Sequence, residues 1–239
     1  MCALLTVRRF LVARSNLFPD SPQAGYQSAY PVTTVIHRTY ALLAATLLFS
    51  SLTAYIGMRA LFVYQHPFVI MIAAFASLFA VQWTGGKNSP IAIPLVFLFT
   101  GLMGLSLGPV IAMYLKLANG PAIVAESLVG TAAIFGSLSL YALVSRRNFS
   151  YLGGFLMTGL VIVVLASIAN MFFHLAGLQL VIAGMALLVF SGLVLFDTSR
   201  MVNGGETRPV IIAVSLYLDV LNIFMALLEI LGAVQGRRD

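Results

Sequence analysis

Four acidic side chains stand within or beside long apolar segments of the chain. They are Glu126, Asp197, Asp219 and Glu229, out of seven Asp and Glu residues in all. A charge held at the middle of a bilayer costs about 3 kcal/mol or more, so an acid in such a position is a functional candidate by default. Carboxylates in this setting can bind a proton or a cation.

Asp197 and Asp219 are the two acids that we expect to act together. Asp197 follows the apolar run that ends at Phe196, whereas Asp219 lies about 14 Å along a helix that starts at Val210. For the two to meet, the 198–209 segment has to dip into the membrane or the last helix has to start deeper. Two glycines and a proline in that segment permit either course.

If the two carboxylates meet, they share one proton, because two like charges in a low dielectric do not both ionise cheaply. Deprotonation would push the helices apart and leave an anionic ring suited to Ca²⁺ or protons, which is a pH-sensitive gate. The alternative is that Asp197 pairs with Arg200, while Asp219 hydrogen-bonds a hydroxyl group or a water. The residues alone leave both interpretations open.

The other two acids have weaker cases. Glu126 opens the fourth apolar segment, where it is either part of an ion pathway or a first-turn carboxylate stabilised by the helix dipole. Glu229, near the far end of the last helix, could be held at the membrane interface without any role. The three histidines are far apart and there is a single cysteine, so we predict no metal centre and no cofactor.

The composition of the chain indicates what kind of secondary structure holds these acids. The 239 residues are 61% hydrophobic and 8% charged, and their mean hydropathy is +1.02. An ordinary soluble domain is about 25% charged, so this chain cannot cover a water-exposed surface. A soluble enzyme, a disordered chain and a nucleic-acid-binding module are excluded. The apolar runs are unbroken and lack the alternation of barrel strands, which predicts membrane-spanning helices.

We predict an all-α integral membrane protein with seven transmembrane helices, separated by short segments of Gly, Pro, Asn and charged residues. The stretch 1–39 lacks the apolar core of a signal peptide and is expected to be a flexible cytoplasmic segment. The bundle is expected to fill 40–235, and 236–239 to form a short basic tail. The predicted helices cover 40–58, 68–83, 91–115, 122–144, 152–173, 178–196 and 210–234.

The distribution of basic residues predicts a cytoplasmic amino terminus, because cytoplasmic loops carry an excess of Lys and Arg. With seven crossings, only Arg59 and Lys116 fall in loops on the opposite side, where the pair Arg237 and Arg238 would violate the rule. The basic residues expected on the cytoplasmic side are Arg8, Arg9, Arg14, Arg38, Lys87, Arg146, Arg147, Arg200 and Arg208.

Two stretches of the sequence resemble the Bax inhibitor-1 family, and within it the bacterial YccA-like branch. They are LFDTSRMVNGGET at 195–207 and SLYLDVLNIF at 215–224. Segments at 149–154 and 104–109 are also similar to family segments. The resemblance covers about residues 35–235, and therefore all seven predicted helices.

The resemblance implies a fold in which the last helix is central and surrounded by the other six. It also implies a calcium leak, known for several members, that is gated by a hydrogen-bonded aspartate pair. Asp197 and Asp219 match those two positions, and Glu126 matches an acidic position of the fourth helix. We expect three residues from the same stretch to support the pair, namely Arg200, Tyr217 and Asn222.

One departure from the family concerns Glu229. Some members carry a basic residue at this position, paired with an acid on the second helix. The second predicted helix here contains no acid. We therefore expect this second latch to be missing.

The leading hypothesis is a pH-sensitive Ca²⁺ leak. The alternative, which the YccA-like resemblance implies, is a non-transporting modulator or substrate of an ATP-dependent membrane protease, with the amino-terminal segment suited to the protease's grip. Both hypotheses imply a bacterial inner membrane location. Intramembrane aspartyl proteases carry Gly-x-Gly-Asp and Pro-Ala-Leu motifs, whereas Leu216-Tyr217-Leu218 precedes Asp219 and no Pro-Ala-Leu occurs. We therefore expect no enzyme.

Overall fold

The computed structural model describes residues 31–85, Ser89 and residues 91–235. This part of the chain is helical, and seven helices are long and apolar enough to cross a membrane, as the composition predicts. The helices are α1 (Val32–Gly57), the short α2 (Leu61–Gln65), α3 (Pro67–Gly85), α4 (Ala92–Tyr114), α5 (Gly120–Ser145), α6 (Gly153–Phe173), α7 (Ala176–Val202) and α8 (Pro209–Gln235). A 3-10 turn, Ser150–Leu152, precedes α6.

The helix bounds agree with the sequence to within about two residues except at two ends. Helix α1 begins at Val32, eight residues before the predicted start, and α7 ends at Val202, six residues beyond the predicted end. Hydropathy marks where a helix leaves the hydrocarbon, but a helix continues past that point when its polar side chains find partners. The predictions for 1–30 and 236–239, including Arg237 and Arg238, lie outside the described residues.

The last helix, α8, forms the centre of the bundle, as the resemblance implies. In its apolar stretch 50% of the residues are buried, against 11% in the span that contains α6. Helix α8 packs mainly against α7, α5 and α1, with smaller contacts to α4 and α3. Helix α6 departs from the expected ring of six, because its main partner is α7 and not α8.

Small residues allow α1 and α4 to pack closely. A Cβ atom added at Gly108 would lie 2.5 Å from the backbone of Gly57 and Met58, and one at Gly104 would lie 2.3 Å from the carbonyl oxygen of Ser50. Backbone atoms cannot move aside as a flexible side chain can. The glycines of α4 therefore fix the α1–α4 pair, against which α8 then packs.

Candidate functional site

Asp197 lies inside α7 and not at its end. The helix runs five residues beyond it to Val202, so Asp197 is about 8 Å from the end of the helix. The connection to α8 is only 203–208, and Asp219 lies about 15 Å into α8 from Pro209. Because α7 and α8 pack side by side, the six added residues of α7 move Asp197 away from the connection and towards the level of Asp219. No re-entrant segment is required.

Asp219 is almost completely buried at the centre of the bundle. Its exposed fraction is 3%, and its Oδ2 atom accepts no hydrogen bond from any described residue. A buried carboxylate oxygen without a donor is unusual, because desolvating a polar group without a partner costs free energy. Such an atom on a central helix is a candidate for direct interaction with a proton or a cation.

Asp197 is close enough to Asp219 for the Asp219 carboxyl group to lie in its electrostatic field. No hydrogen bond joins them among the described residues, so the hydrogen-bonded form of the pair is not the one seen here. Asp197 is partly buried and also lies in the fields of Arg200 and Glu206. The arrangement combines a deep carboxylate with a shallower one that has an arginine nearby.

Arg200 contacts Glu206 in the α7–α8 connection. Its Nη2 atom lies 4.0 Å from Glu206 Oε2, and its guanidinium group lies over the Phe196 ring at 5.4 Å from the centroid. Arg208 makes the closer pair, with Nη2 at 2.7 Å and Nε at 2.8 Å from the two carboxylate oxygens. Burial alone would raise the pKa of Glu206, but hydrogen bonds from Arg208 and the charge of Arg208 hold that pKa below its usual value.

Ser199 and Asn203 join the end of α7 to the connection between α5 and α6. Ser199 Oγ donates to the carbonyl oxygen of Arg147 at 2.9 Å and accepts from the backbone N–H of Phe149 at 2.9 Å. Asn203 Nδ2 donates to the same Arg147 carbonyl at 3.3 Å. These bonds explain why α7 stays helical beyond Asp197. Sequence analysis did not single out either residue, although both belong to a polar cluster after an apolar run.

Tyr217 is fully buried on a face of α8 different from that of Asp219. Residues that are two positions apart in an α-helix are separated by about 200° around the helix axis. Its hydroxyl group is 2.7 Å from Ser50 Oγ on α1 and donates to the carbonyl oxygen of Thr100 on α4 at 3.3 Å. Its ring packs edge-on against Phe99. Tyr217 therefore fixes α8 against α1 and α4 and does not contact the aspartates through these bonds.

Of the remaining predicted site residues, Asn222 lies at the middle of α8 and Glu126 lies towards the other end of the bundle. Asn222, one turn beyond Asp219, donates from Nδ2 to the Leu218 carbonyl at 2.7 Å. Glu126 is exposed in the second turn of α5 and accepts a hydrogen bond from Gln235 at 2.7 Å. It lies about 28 Å along α5 from Ser145, whereas the aspartates lie near the Ser145 end. The structure thus brings Asp197, Asp219 and Arg200 together and separates Glu126 from them.

Glu229 is not isolated at an interface. Gln179 of α7 donates its amide Nε2 to Glu229 Oε1, and Asn170 of α6 donates to Gln179 Oε1. The chain of three polar side chains links α6, α7 and α8. Among the described residues, Glu229 forms no ion pair with a basic residue.

Comparison with known sequences identifies the family. Residues 32–236 match the sequence model of the family described as inhibitor of apoptosis-promoting Bax1. The chain belongs to the Bax inhibitor family. This Bax inhibitor family protein matches its family over all seven spans, and the match begins at the first residue of α1.

Three bacterial relatives cover most of the chain. An uncharacterized membrane protein of Vibrio cholerae is 40% identical over 84% of this chain and 90% of its own length. An uncharacterized protein of Pseudomonas aeruginosa is 36% identical over 86% and 91%. The modulator of FtsH protease YccA of Escherichia coli K12 is 38% identical over 83% and 89%. The matching protein of Escherichia coli O6:H1 is named inner membrane protein YccA.

Proposed function

We propose that this Bax inhibitor family protein is a pH-sensitive cation leak gated by Asp197 and Asp219, with Ca²⁺ as the permeant ion. The observation that carries the proposal is the buried carboxylate of Asp219, which has an oxygen without a donor and lies in the field of Asp197. When the pair holds a proton, α7 and α8 stay packed. When both groups are ionised, their repulsion loosens that contact and attracts a cation.

The test is Ca²⁺ flux into proteoliposomes that contain the purified protein, between about pH 6 and pH 8, where a shared proton would be lost. We expect wild type to leak faster as the pH rises, and Asp219→Asn and Asp197→Asn to lose that dependence because each removes one of the two charges. Glu126→Gln, at the opposite end, should lower the rate while the pH dependence remains. A wild type no leakier than protein-free liposomes, or aspartate variants that keep the pH profile, would overturn the proposal.

A second candidate function is modulation of an ATP-dependent membrane protease, in the bacterial inner membrane. It is favoured by the 38% identity to a protein that is named a modulator of FtsH protease. The fitting experiment reconstitutes this protein with an FtsH-type protease and measures the degradation of a membrane substrate. Because α1 begins at Val32, deletion of residues 1–30 leaves every described helix intact. We expect this deletion to abolish modulation and Asp219→Asn to preserve it; full modulation by the truncated protein would contradict this candidate.

A further inference from the structure

A cavity of 300 Å³ lies between α6, α7 and α8, in the half of the bundle away from Asp197. Four polar side chains, Ser167, Gln179, Asn222 and Glu229, share its lining with aliphatic residues and Phe190. Among the described residues, Glu229 is the one charged residue of the lining, and no lysine, arginine or histidine lines this cavity.

The polar groups of this cavity already take part in hydrogen bonds of their own. Ser167 Oγ donates to the Val163 carbonyl at 2.8 Å, and Asn222 Nδ2 donates to the Leu218 carbonyl at 2.7 Å. Gln179 Nε2 donates to Glu229 Oε1. The amides of Gln179 and Asn222 each keep a second N–H. The acceptors that remain are the hydroxyl oxygen of Ser167, Oδ1 of Asn222 and Oε2 of Glu229, to which no described residue donates a hydrogen bond.

From this donor and acceptor pattern we infer that the cavity binds a monovalent metal cation of the sodium class. Three acceptor atoms that remain available, one of them on the single negatively charged side chain, are complementary to one positive charge. A divalent ion would keep an uncompensated charge there, and no group of three His, Cys, Asp or Glu residues that could hold such an ion occurs among the described residues. A lipid phosphate does not fit, because the lining offers it no cation.

The neighbouring helices hold the ligands in place. Asn170 of α6 donates to Gln179 Oε1, and its own Oδ1 accepts from the backbone N–H of Leu175 at 3.0 Å. The amide of Gln179 is therefore oriented at both of its ends. On the other flank, Tyr114 of α4 lies in the electrostatic field of Glu229. The carboxylate is thus positioned before the ion arrives, which reduces the ordering cost of binding.

The experiment measures the melting temperature of the full-length protein in detergent as NaCl or KCl replaces choline chloride at constant ionic strength. A cation that binds only the folded state raises the melting temperature with its concentration. We expect such a rise for wild type, and an apparent sodium affinity weaker by about tenfold or more in Glu229→Gln, which loses the charged ligand. Retention of bound radioactive sodium on the immobilised protein gives an independent readout of the same site.

Glu206→Gln is the matched control, because it removes one carboxylate in the α7–α8 connection and should keep the full sodium response. If Glu229→Gln does not fold, Ser167→Ala removes one neutral ligand and should weaken the response. The inference is overturned if sodium and potassium stabilise wild type no more than choline does, if only Ca²⁺ stabilises it, or if Glu229→Gln responds like wild type. None of these outcomes depends on Ca²⁺ flux.

Discussion

Asp219 and Tyr217 lie two residues apart on α8, and their buried side chains differ in whether their hydrogen bonds are satisfied. Tyr217 is buried with both of its hydrogen-bond partners supplied by α1 and α4, whereas Asp219 is buried with an oxygen that lacks a donor. A satisfied buried polar group holds helices together. An unsatisfied one beside a second carboxylate is a place where a change of charge can move them. Under the proposed function, the two residues would divide stability and gating between two faces of one helix.

Tyr217→Phe should destabilise the protein by about 1–2 kcal/mol, because it leaves Ser50 Oγ without this buried partner. The measurement is unfolding in detergent, followed by helical circular dichroism. Tyr151→Phe is the control, since that ring is 75% exposed, and its effect should stay within about 0.5 kcal/mol. Equal effects of the two substitutions would show that the Tyr217 hydroxyl does not fix α8.

At the scale of elements, the α1–α4 pair and the α7–α8 hairpin are held by different means. The first relies on close backbone approach at glycines, and the second on polar groups at its connection. Gly204 in that connection has φ +72°, a left-handed conformation that favours glycine. The backbone N–H of Gly205 then donates to the Arg200 carbonyl at 2.8 Å, which ends α7 and turns the chain towards α8.

Gly108→Ala should destabilise the protein by about 1–3 kcal/mol, because the new methyl group would lie 2.5 Å from the backbone of α1. Gly136→Ala on α5 is the matched control, since a Cβ there meets nothing within 4 Å. It should be stabilising by about 0.5–1 kcal/mol through the better helix propensity of alanine. Thermal unfolding of both variants checks the pair, and a neutral Gly108→Ala would contradict the close approach of α1 and α4.

The Glu206–Arg208 pair predicts an acid-sensitive connection. Because the pKa of Glu206 is lower in the folded protein than its usual 4.5, folding favours the ionised form. This contribution is present above about pH 4.5 and is lost as the pH falls through the lower folded pKa. Glu206→Gln should remove that part of the pH dependence of the melting temperature. Glu126→Gln is the control, because it also removes a carboxylate that is hydrogen-bonded to an amide, and its acid sensitivity should persist. If both variants lose the acid sensitivity, Glu206 is not its source.

At the scale of the whole molecule, the bundle has two ends of different character. Ser199 binds the carbonyl of Arg147, so the α5–α6 connection with Arg146 and Arg147 meets the end of α7 with Arg200 and the following connection with Arg208. The opposite end carries Glu126, Glu229 and the Gln179 chain. The proposed gate lies near the basic end and the proposed sodium site near the other. The two sites are therefore separable by mutation.

The basic end should face the cytoplasm. In a Cys2→Ser background, which removes the one cysteine, Leu117→Cys and Ser150→Cys place single thiols in exposed positions at opposite ends. An impermeant maleimide applied to intact spheroplasts should label Leu117→Cys at once, and Ser150→Cys only after permeabilisation. The reverse labelling pattern would invert the orientation of the bundle.

The sequence alone determined the class of the protein, the seven spans and the identity of the acids worth attention. Hydropathy is a local property, because each span has to satisfy its own backbone hydrogen bonds in lipid. A local property does not say which helix lies at the centre of the bundle. The central place of α8 was therefore predicted only through the resemblance of 195–224 to a known family. Helix ends were less accurate where polar residues continue a helix, as at 197–202, since their partners come from distant parts of the chain.

The tertiary structure decided which polar residues meet. Six additional residues of α7 move Asp197 inward from the connection and towards Asp219, whereas the predicted end at Phe196 required either a re-entrant segment or a deeper start of the last helix. The Asn170–Gln179–Glu229 chain joins residues that are 9 and 50 positions apart in sequence. Conversely, the fold keeps Glu126 away from the two aspartates, with which the sequence had grouped it. Such contacts depend on how helices cross and rotate. No pattern of residue types along one helix specifies that rotation, because it is set by packing against the neighbouring helices.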